Sequence, residues 1–366
     1  MFTREFNYSL PLSLIAQKPV EPRDQARLMV VNRKKKTIEH RYFYEIGEYL
    51  DARDLLVWNN SKVFKARLFG QMVSSTGQLL REHQKPVEIF LIRPMENFGV
   101  WKVLAKPARH VRAPTKVVFA DDFWCDVLVK EKDDGTLLVQ FGDEEKIVRA
   151  KANQYGHVPL PPYIKDEKHE LETYQTVYAE VEGSVAAPTA GFHFTSHLIE
   201  KLKQKGIEFA DVTLHVGLGT FLPVKTERIV DHVMHSEYVE VSGETTKKVN
   251  QAKKQNRRVI AVGTTTVRTV EGIARIQSSD FRFKQELHRE KCEVHPYTGD
   301  INLFIVPGFQ FQIVDALVTN FHLPKSTLFM LVCAFASDIE FMLFCYKQAI
   351  KEGYRFYSFG DAMLII

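Results

Sequence analysis

Five short stretches of the chain combine residue types that do acid–base or anion-binding chemistry with small residues that let a ligand reach the backbone. The first runs from Gly183 to Thr195 and carries Thr189, Gly191 and His193 just before a helix signal. The second is His215-Val216-Gly217-Leu218-Gly219-Thr220-Phe221, and the third is Asp231-His232-Val233-Met234-His235-Ser236-Glu237. The fourth, Gly263-Thr264-Thr265-Thr266-Val267-Arg268, places hydroxyls at a helix start, where free N–H groups suit a carboxylate or phosphate. N-capping alone explains one threonine there, not three. The fifth, Thr319-Asn320-Phe321-His322-Leu323-Pro324-Lys325-Ser326-Thr327, repeats that design. Histidine exchanges protons near neutrality, which makes His193, His215 and His322 the candidate acid–base pool. Strand alternation leaves His215 facing either a cavity or a core partner.

Familiar signatures are absent from these stretches. Gly217-Leu218-Gly219 lacks the third glycine and the immediate helix of a dinucleotide fingerprint. No Gly-Lys-Ser/Thr completes a P-loop after Gly263. His232, His235 and Glu237 invite a metal reading, as do His288, Cys292 and His295, but neither set has a matching further ligand cluster, and no metal is expected.

Elements of two kinds must position these turns. Phe43–Leu50 has helical spacing, and Asp54–Trp58 reads as a buried strand. From about 61 to 155, short β-rich runs follow one another at 66–73, 87–92, 100–105, 115–119, 126–130 and 136–141. Asp134-Gly135 joins the last two as a hairpin signal, and no long helical pattern intervenes. Such a series suggests a small antiparallel barrel. From about 184, strands at 212–216, 259–262 and 315–321 alternate with helices capped by Thr195 and Ser326. The expected class is α/β in two domains: an α/β barrel-like main domain, residues 1–60 and 156–366, interrupted by an inserted antiparallel β-barrel, residues 61–155.

Composition bounds the setting. The 366 residues are 45% hydrophobic and 26% charged, an ordinary globular mix that excludes a disordered chain. Four cysteines with no CxxC exclude a disulfide scaffold and a zinc ribbon. The N-terminus lacks a signal pattern and the longest apolar run, 327–336, is too short to span a bilayer, so a soluble cytoplasmic protein is expected. Charge is uneven: residues 245–291 hold twelve Lys or Arg against four acids, and residues 120–182 hold fifteen acids against seven bases. The basic run is either a phosphate-facing surface or a solvated helix face.

Together these stretches resemble the S-adenosylmethionine:tRNA ribosyltransferase-isomerase family of queuosine biosynthesis. The resemblance is carried by Tyr8, Leu10-Pro11, Leu14-Ile15-Ala16-Gln17, Pro22-Arg23-Asp24 and Arg27-Leu28-Met29, and by Asp54-Leu55-Leu56-Val57 with Asn59-Asn60-Ser61-Lys62-Val63 and Ala66-Arg67-Leu68. It continues in Gly156–Ile164, Tyr174–Ala179, the five stretches above, Tyr354-Arg355-Phe356 and Gly360–Leu364. Small departures are Ser61 for a usual Thr, Phe192 for a usual Leu, Leu222 for a usual basic residue and Ser337 for a usual Gly.

The resemblance implies an α/β domain with a β-barrel insertion. It implies transfer and isomerisation of the ribosyl part of S-adenosylmethionine onto the aminomethyl group of a 7-deazaguanine at the tRNA wobble position, giving epoxyqueuosine, adenine and methionine. S-adenosylmethionine is then a consumed cosubstrate, with no prosthetic group, and the anticodon arm of tRNA is the partner of a monomeric enzyme. On that reading Thr189, Gly191, Gly217, Gly219, Thr220, His235, Glu237, Thr264, Thr265, Thr266, Arg268, Asn320, Lys325 and Ser326 are candidates for substrate binding. Arg23, Asn60, Arg67, Lys253, Lys254 and Arg257 are candidates for RNA. A non-catalytic RNA-binding protein is the alternative, and a metal hydrolase on His232, His235 and Glu237 a third reading.

Overall fold

The computed structural model describes residues 1–74, 85–131, 135–165, 170–217, 224–234, 236–279 and 293–366. The strands and helices run β1 (Arg27–Asn32), β2 (Thr37–Tyr42), β3 (Leu55–Asn59), β4 (Ser61–Val63), β5 (Arg67–Val73), β6 (Val87–Pro94), β7 (Val100–Lys106), β8 (Lys116–Ala120), β9 (Phe123–Lys130), β10 (Leu137–Phe141) and α1 (Glu145–Tyr155). Then come β11 (Val181–Ser184), α2 (Ser196–Gln204), β12 (Glu208–Leu214), β13 (Glu237–Val241), α3 (Gly243–Lys254), β14 (Val259–Val262) and α4 (Thr264–Ser279). The chain ends with β15 (Tyr297–Ile301), β16 (Ala316–Asn320), α5 (Thr327–Ala336), α6 (Ile339–Lys351) and β17 (Ala362–Ile365).

The main sheet has nine strands in the order β15-β13-β12-β3-β14-β16-β17-β1-β2. Its centre, β12-β3-β14-β16, is parallel throughout. A parallel sheet is covered on both faces, so its strands need apolar side chains on both sides. Leu55-Leu56-Val57-Trp58 and Val259-Ile260-Ala261-Val262 supply them, every one buried. Strand alternation divides them: Leu55, Val57, Ala261 and Leu317 join the core shared with α4 and α5, while Leu56, Trp58, Ile260 and Val318 pack with Leu198 and Leu202 of α2. The α/β class with a β-barrel insertion is as expected; what the sequence suggests as barrel-like in the main domain is a row of strands with β15 and β2 at its ends.

The second unit is the closed barrel β10-β7-β6-β5-β8-β9, antiparallel at each seam. Its strands alternate as predicted: on β9, Phe123, Cys125 and Val127 point in, while Trp124, Asp126 and Leu128 stay exposed. Closure leaves no edge for foreign strands to pair with. Helix α1 follows the barrel within the stretch where no helix is expected from the sequence. It has only Val148, Arg149 and Ala152 buried and no side-chain cap at Glu144, so its pattern is faint. The caps on Thr195 and Ser326 form as expected, each hydroxyl accepting from a backbone N–H at 3.2 Å. Among the described residues no single helix is long and apolar enough to cross a membrane.

Helix α4 anchors the long segment before β16 through one carboxylate. Glu271 is buried and accepts from the N–H groups of Gln312, Ile313 and Val314 at 3.0, 2.9 and 2.9 Å. Burial raises its pKa, and the three N–H bonds and Lys253 oppose that shift. Glu271→Ala leaves those donors unsatisfied and lowers unfolding free energy by about 3 kcal/mol, one or more for each donor. Urea melts of both proteins measure this; an equal midpoint contradicts it.

Candidate active site

Parallel register brings the ends of four strands to one edge. Trp58 and Val318 both lie opposite Val262, and Asn59 lies opposite Val212. The next residues in the chain, Asn59, Gly263 and Thr319, therefore emerge side by side. Each has to redirect the chain there. Gly263 does so at φ +92°, a left-handed conformation that glycine adopts without strain, with its N–H donating to Val318 O at 2.8 Å. Asn59 stands in for a strand partner: its amide donates to Leu214 O at 2.9 Å and accepts from Leu214 N at 3.0 Å.

A cavity of about 60 Å³, open in part to solvent, lies at this edge. The turns 187–190, 263–265 and 319–323 surround it, with Val216, Ser326 and Leu328 and, from the C-terminal segment, Tyr357 and Ser358. The first, fourth and fifth stretches of the sequence thus converge, joined by Val216 of the second. Thr264 and Thr265 sit at the start of α4, whose first N–H groups have no partner within the helix. The Thr265 hydroxyl is buried in the cavity wall without a hydrogen-bond partner. Thr266 plays another part: its hydroxyl donates back to Val262 O at 2.8 Å.

Across the cavity, Thr189 donates to Asn320 Oδ1 at 2.9 Å, and Asn320 Nδ2 donates to His193 Nε2 at 3.1 Å. His193 lies behind Asn320 rather than on the cavity wall. His322 does line it, with Nε2 2.8 Å from the Thr319 hydroxyl and its backbone held by Tyr346 and Tyr8. His215 is placed elsewhere, its ring against Gly183 and stacked on Tyr238 near Arg149.

Other candidates have partners within the chain. Arg268 forms a buried ion pair with Glu237, whose other oxygen accepts from Gly217 N at 3.2 Å, and burial lowers the Arg268 pKa to about 10. The pair ties α4 to β13 and to the turn after β12. Gly191 packs against Tyr178, and Ser326 caps α5. Lys325 turns the chain at φ +59° and is not part of the cavity wall. Asn60 accepts from the Thr213 hydroxyl, Arg67 pairs with Glu88, and Arg23 donates to the carbonyls of Gln175 and Thr173. Lys253, Lys254 and Arg257 pair with Asp315, Glu293 and Glu208. Lys253 and Arg257 face a hollow at the starts of β14 and β16, the opposite end of the sheet from the cavity. Gly219, Thr220, Leu222, His235, His288 and Cys292 lie outside the described residues. Among the described residues no three metal-type ligands lie together.

A family model described as queuosine biosynthesis protein matches residues 3–365, which takes in the barrel, the sheet and every turn of the cavity. The chain belongs to this family. It is similar to an S-adenosylmethionine:tRNA ribosyltransferase-isomerase of Thermotoga petrophila, 49% identical with all of both chains covered. One from a Sulfurihydrogenibium species is 46% identical over 99% of each chain. A crystal structure of the S-adenosylmethionine tRNA ribosyltransferase of Thermotoga maritima matches 99% of this chain and 100% of its own, with TM-score 0.54 and 40% identity.

Three wall residues of this queuosine biosynthesis family member escaped the functional reading of its sequence. Tyr163 donates to or accepts from Ser358 at 2.7 Å and packs on Tyr357 at 4.6 Å between centroids. Tyr357 holds φ +70°, rare for a tyrosine. The available signal was position: Tyr163 lies inside a family string, and Tyr357 and Ser358 lie between two others.

Burial sets the charge state of the histidines. It lowers the pKa of His322 to about 3, that of His193 to about 3 with Arg355 and Arg23 adding to the effect, and that of His215 to about 4 with Arg149 adding. Unfolded histidines titrate near 6.5. Below that value the unfolded chain binds protons that the folded chain does not, so stability present above pH 6.5 is lost as pH falls toward 4 and below. His322→Gln removes one such proton. The slope of unfolding free energy against pH between 6 and 4 should drop by about 1.4 kcal/mol per pH unit. Urea titrations at stepped pH read it; an unchanged slope contradicts the burial of a neutral His322.

Proposed function

We propose that the chain transfers the ribosyl part of S-adenosylmethionine to tRNA and isomerises it in queuosine biosynthesis, with the cavity at the strand ends as the reaction chamber. The observation that carries the location is the convergence of three polar turns and the α4 N-terminus on one cavity within a chain matched over its whole length by the family. The acceptor is the aminomethyl group of a 7-deazaguanine in the wobble position, and the products are epoxyqueuosine in tRNA, adenine and methionine. The protein works as a cytoplasmic monomer on the anticodon arm and uses no prosthetic group.

Each part of the cavity has a task in that chemistry. The start of α4 with the Thr265 hydroxyl receives the methionine carboxylate, because free N–H groups and an unpartnered hydroxyl favour an anion. Arg268 has no part in this, being paired with Glu237. A sulfonium acidifies the adjacent ribose carbon, and a neutral imidazole can take that proton. His322 is the member of the histidine pool that lines the cavity; burial keeps it neutral at pH 7 and also weakens it as a base, so the bound cosubstrate must raise its basicity for it to act. The tyrosine wall and Leu328 exclude water from the reacting ribose.

Incubation with S-adenosylmethionine and a tRNA bearing the aminomethyl-deazaguanine should release adenine and yield an epoxyqueuosine nucleoside on digestion and mass analysis. His322→Ala, still folded, should lose about a hundredfold or more in kcat. RNA binding by the parent without adenine release would instead favour a binding protein. Thr265→Val should raise KM for S-adenosylmethionine about tenfold without a loss of stability, since its hydroxyl has no internal partner. Unchanged KM removes the carboxylate from the α4 N-terminus.

A further inference from the structure

The chain Thr189–Asn320–His193 has a directionality that points past proton transfer. A side-chain amide has a donor end and an acceptor end, and a half-turn exchanges them. Asn320 is 2% exposed and reaches the cavity between Thr189, which donates to its oxygen, and His193, which accepts from its nitrogen. A hydroxyl both donates and accepts, so Thr189 alone would tolerate either orientation of the amide. The contact with Asn320 Nδ2 requires the Nδ1–H tautomer of His193, and in that tautomer Nε2 only accepts. It therefore fixes which end of Asn320 is which. His193 is 3% exposed, packs its ring on Phe43 at 5.1 Å between centroids, and has Arg23 and Arg355 as its charged neighbours. All three conditions keep the imidazole neutral and still.

After both internal bonds are made, Asn320 retains one N–H and one oxygen lone pair. A fixed amide with one donor and one acceptor is complementary to the edge of adenine, which offers an amino donor beside a ring-nitrogen acceptor. We propose that Asn320 reads the adenine of S-adenosylmethionine and that His193 is a positioning residue that locks the Asn320 amide in the reading orientation. This rests on the cavity being the S-adenosylmethionine site. It separates the roles of the histidines: His322 faces the substrate, and His193 acts through Asn320.

The test compares S-adenosylmethionine with S-inosylmethionine, in which the six-position amino donor is a carbonyl acceptor. Binding is followed by calorimetry, and turnover by release of adenine or hypoxanthine. The parent should prefer the adenine form by about ten- to a hundredfold in kcat/KM, the range of one bidentate amide–base pair. His193→Ala frees the amide to turn and should collapse that preference to within about threefold, by improving the relative use of the inosyl form. His193→Gln, an amide that can itself turn and so cannot fix Asn320, should lose the preference as His193→Ala does while keeping both limbs of the parental pH–kcat profile. A merely structural histidine would lower turnover of both cosubstrates by the same factor, and that result overturns the proposal. Loss of one pH limb in His193→Gln also overturns it, in favour of proton exchange at His193. Absence of binding by the parent overturns the cavity assignment together with it, whereas binding with an unaltered preference in His193→Ala overturns only the role of His193.

Discussion

The structure depends on one constraint, the parallel pairing of β12, β3, β14 and β16. Parallel strands run out of partners at the same edge, and the chain that leaves them must bend back into helices on either face. That edge is where backbone N–H groups and carbonyls are left over and where side chains need no longer pack. Gly263, Thr264, Thr319 and Asn320 all stand at this boundary, and the cavity is the space their turns leave. The arrangement is the general one for open α/β sheets, in which ligands bind beyond the carboxyl ends of the strands.

Keeping that edge fixed falls to groups paired within the chain. The Glu237–Arg268 pair, buried on both sides, joins β13 to the second turn of α4 and holds the Gly217 N–H as well. Its stabilising contribution is modest because both ions lose their hydration, but loss of either partner would leave the other charge buried alone. Glu271 does similar work one helical turn further on, ordering the approach to β16. On the other side of the cavity, Tyr8 and Tyr346 pin the backbone of His322.

Much of this was legible in the sequence, and the reasons differ by element. The barrel announced itself through strict alternation, as on β9, and the central strands through continuous apolar runs bounded by turn residues. The caps Thr195 and Ser326 are local and so could be read locally. Helix α1 was illegible because its buried face is three residues wide and one of them is Arg149, held by the carbonyl of Glu182 and over the rings of Phe64 and Trp101. For the site, the turns that converge were identifiable by composition, but the roles within them were not. Three successive threonines look alike in a sequence; the helix axis sends Thr266 back to Val262 and leaves Thr265 to the cavity. Arg268 looks like a ligand group until β13 brings Glu237 against it, a contact between residues thirty-one positions apart. The basic stretch likewise meets its acids only in three dimensions, where Lys253 and Arg257 pair with Asp315 and Glu208.

A crystal structure of the complex tests the location of S-adenosylmethionine most directly. The carboxylate should lie at the Thr264–Thr265 end of the cavity, with the adenine edge against Asn320 and the ribose beside His322. Density for the cosubstrate in the larger hollow between barrel and sheet, near His157 and Lys62, with the strand-end cavity empty, would contradict it.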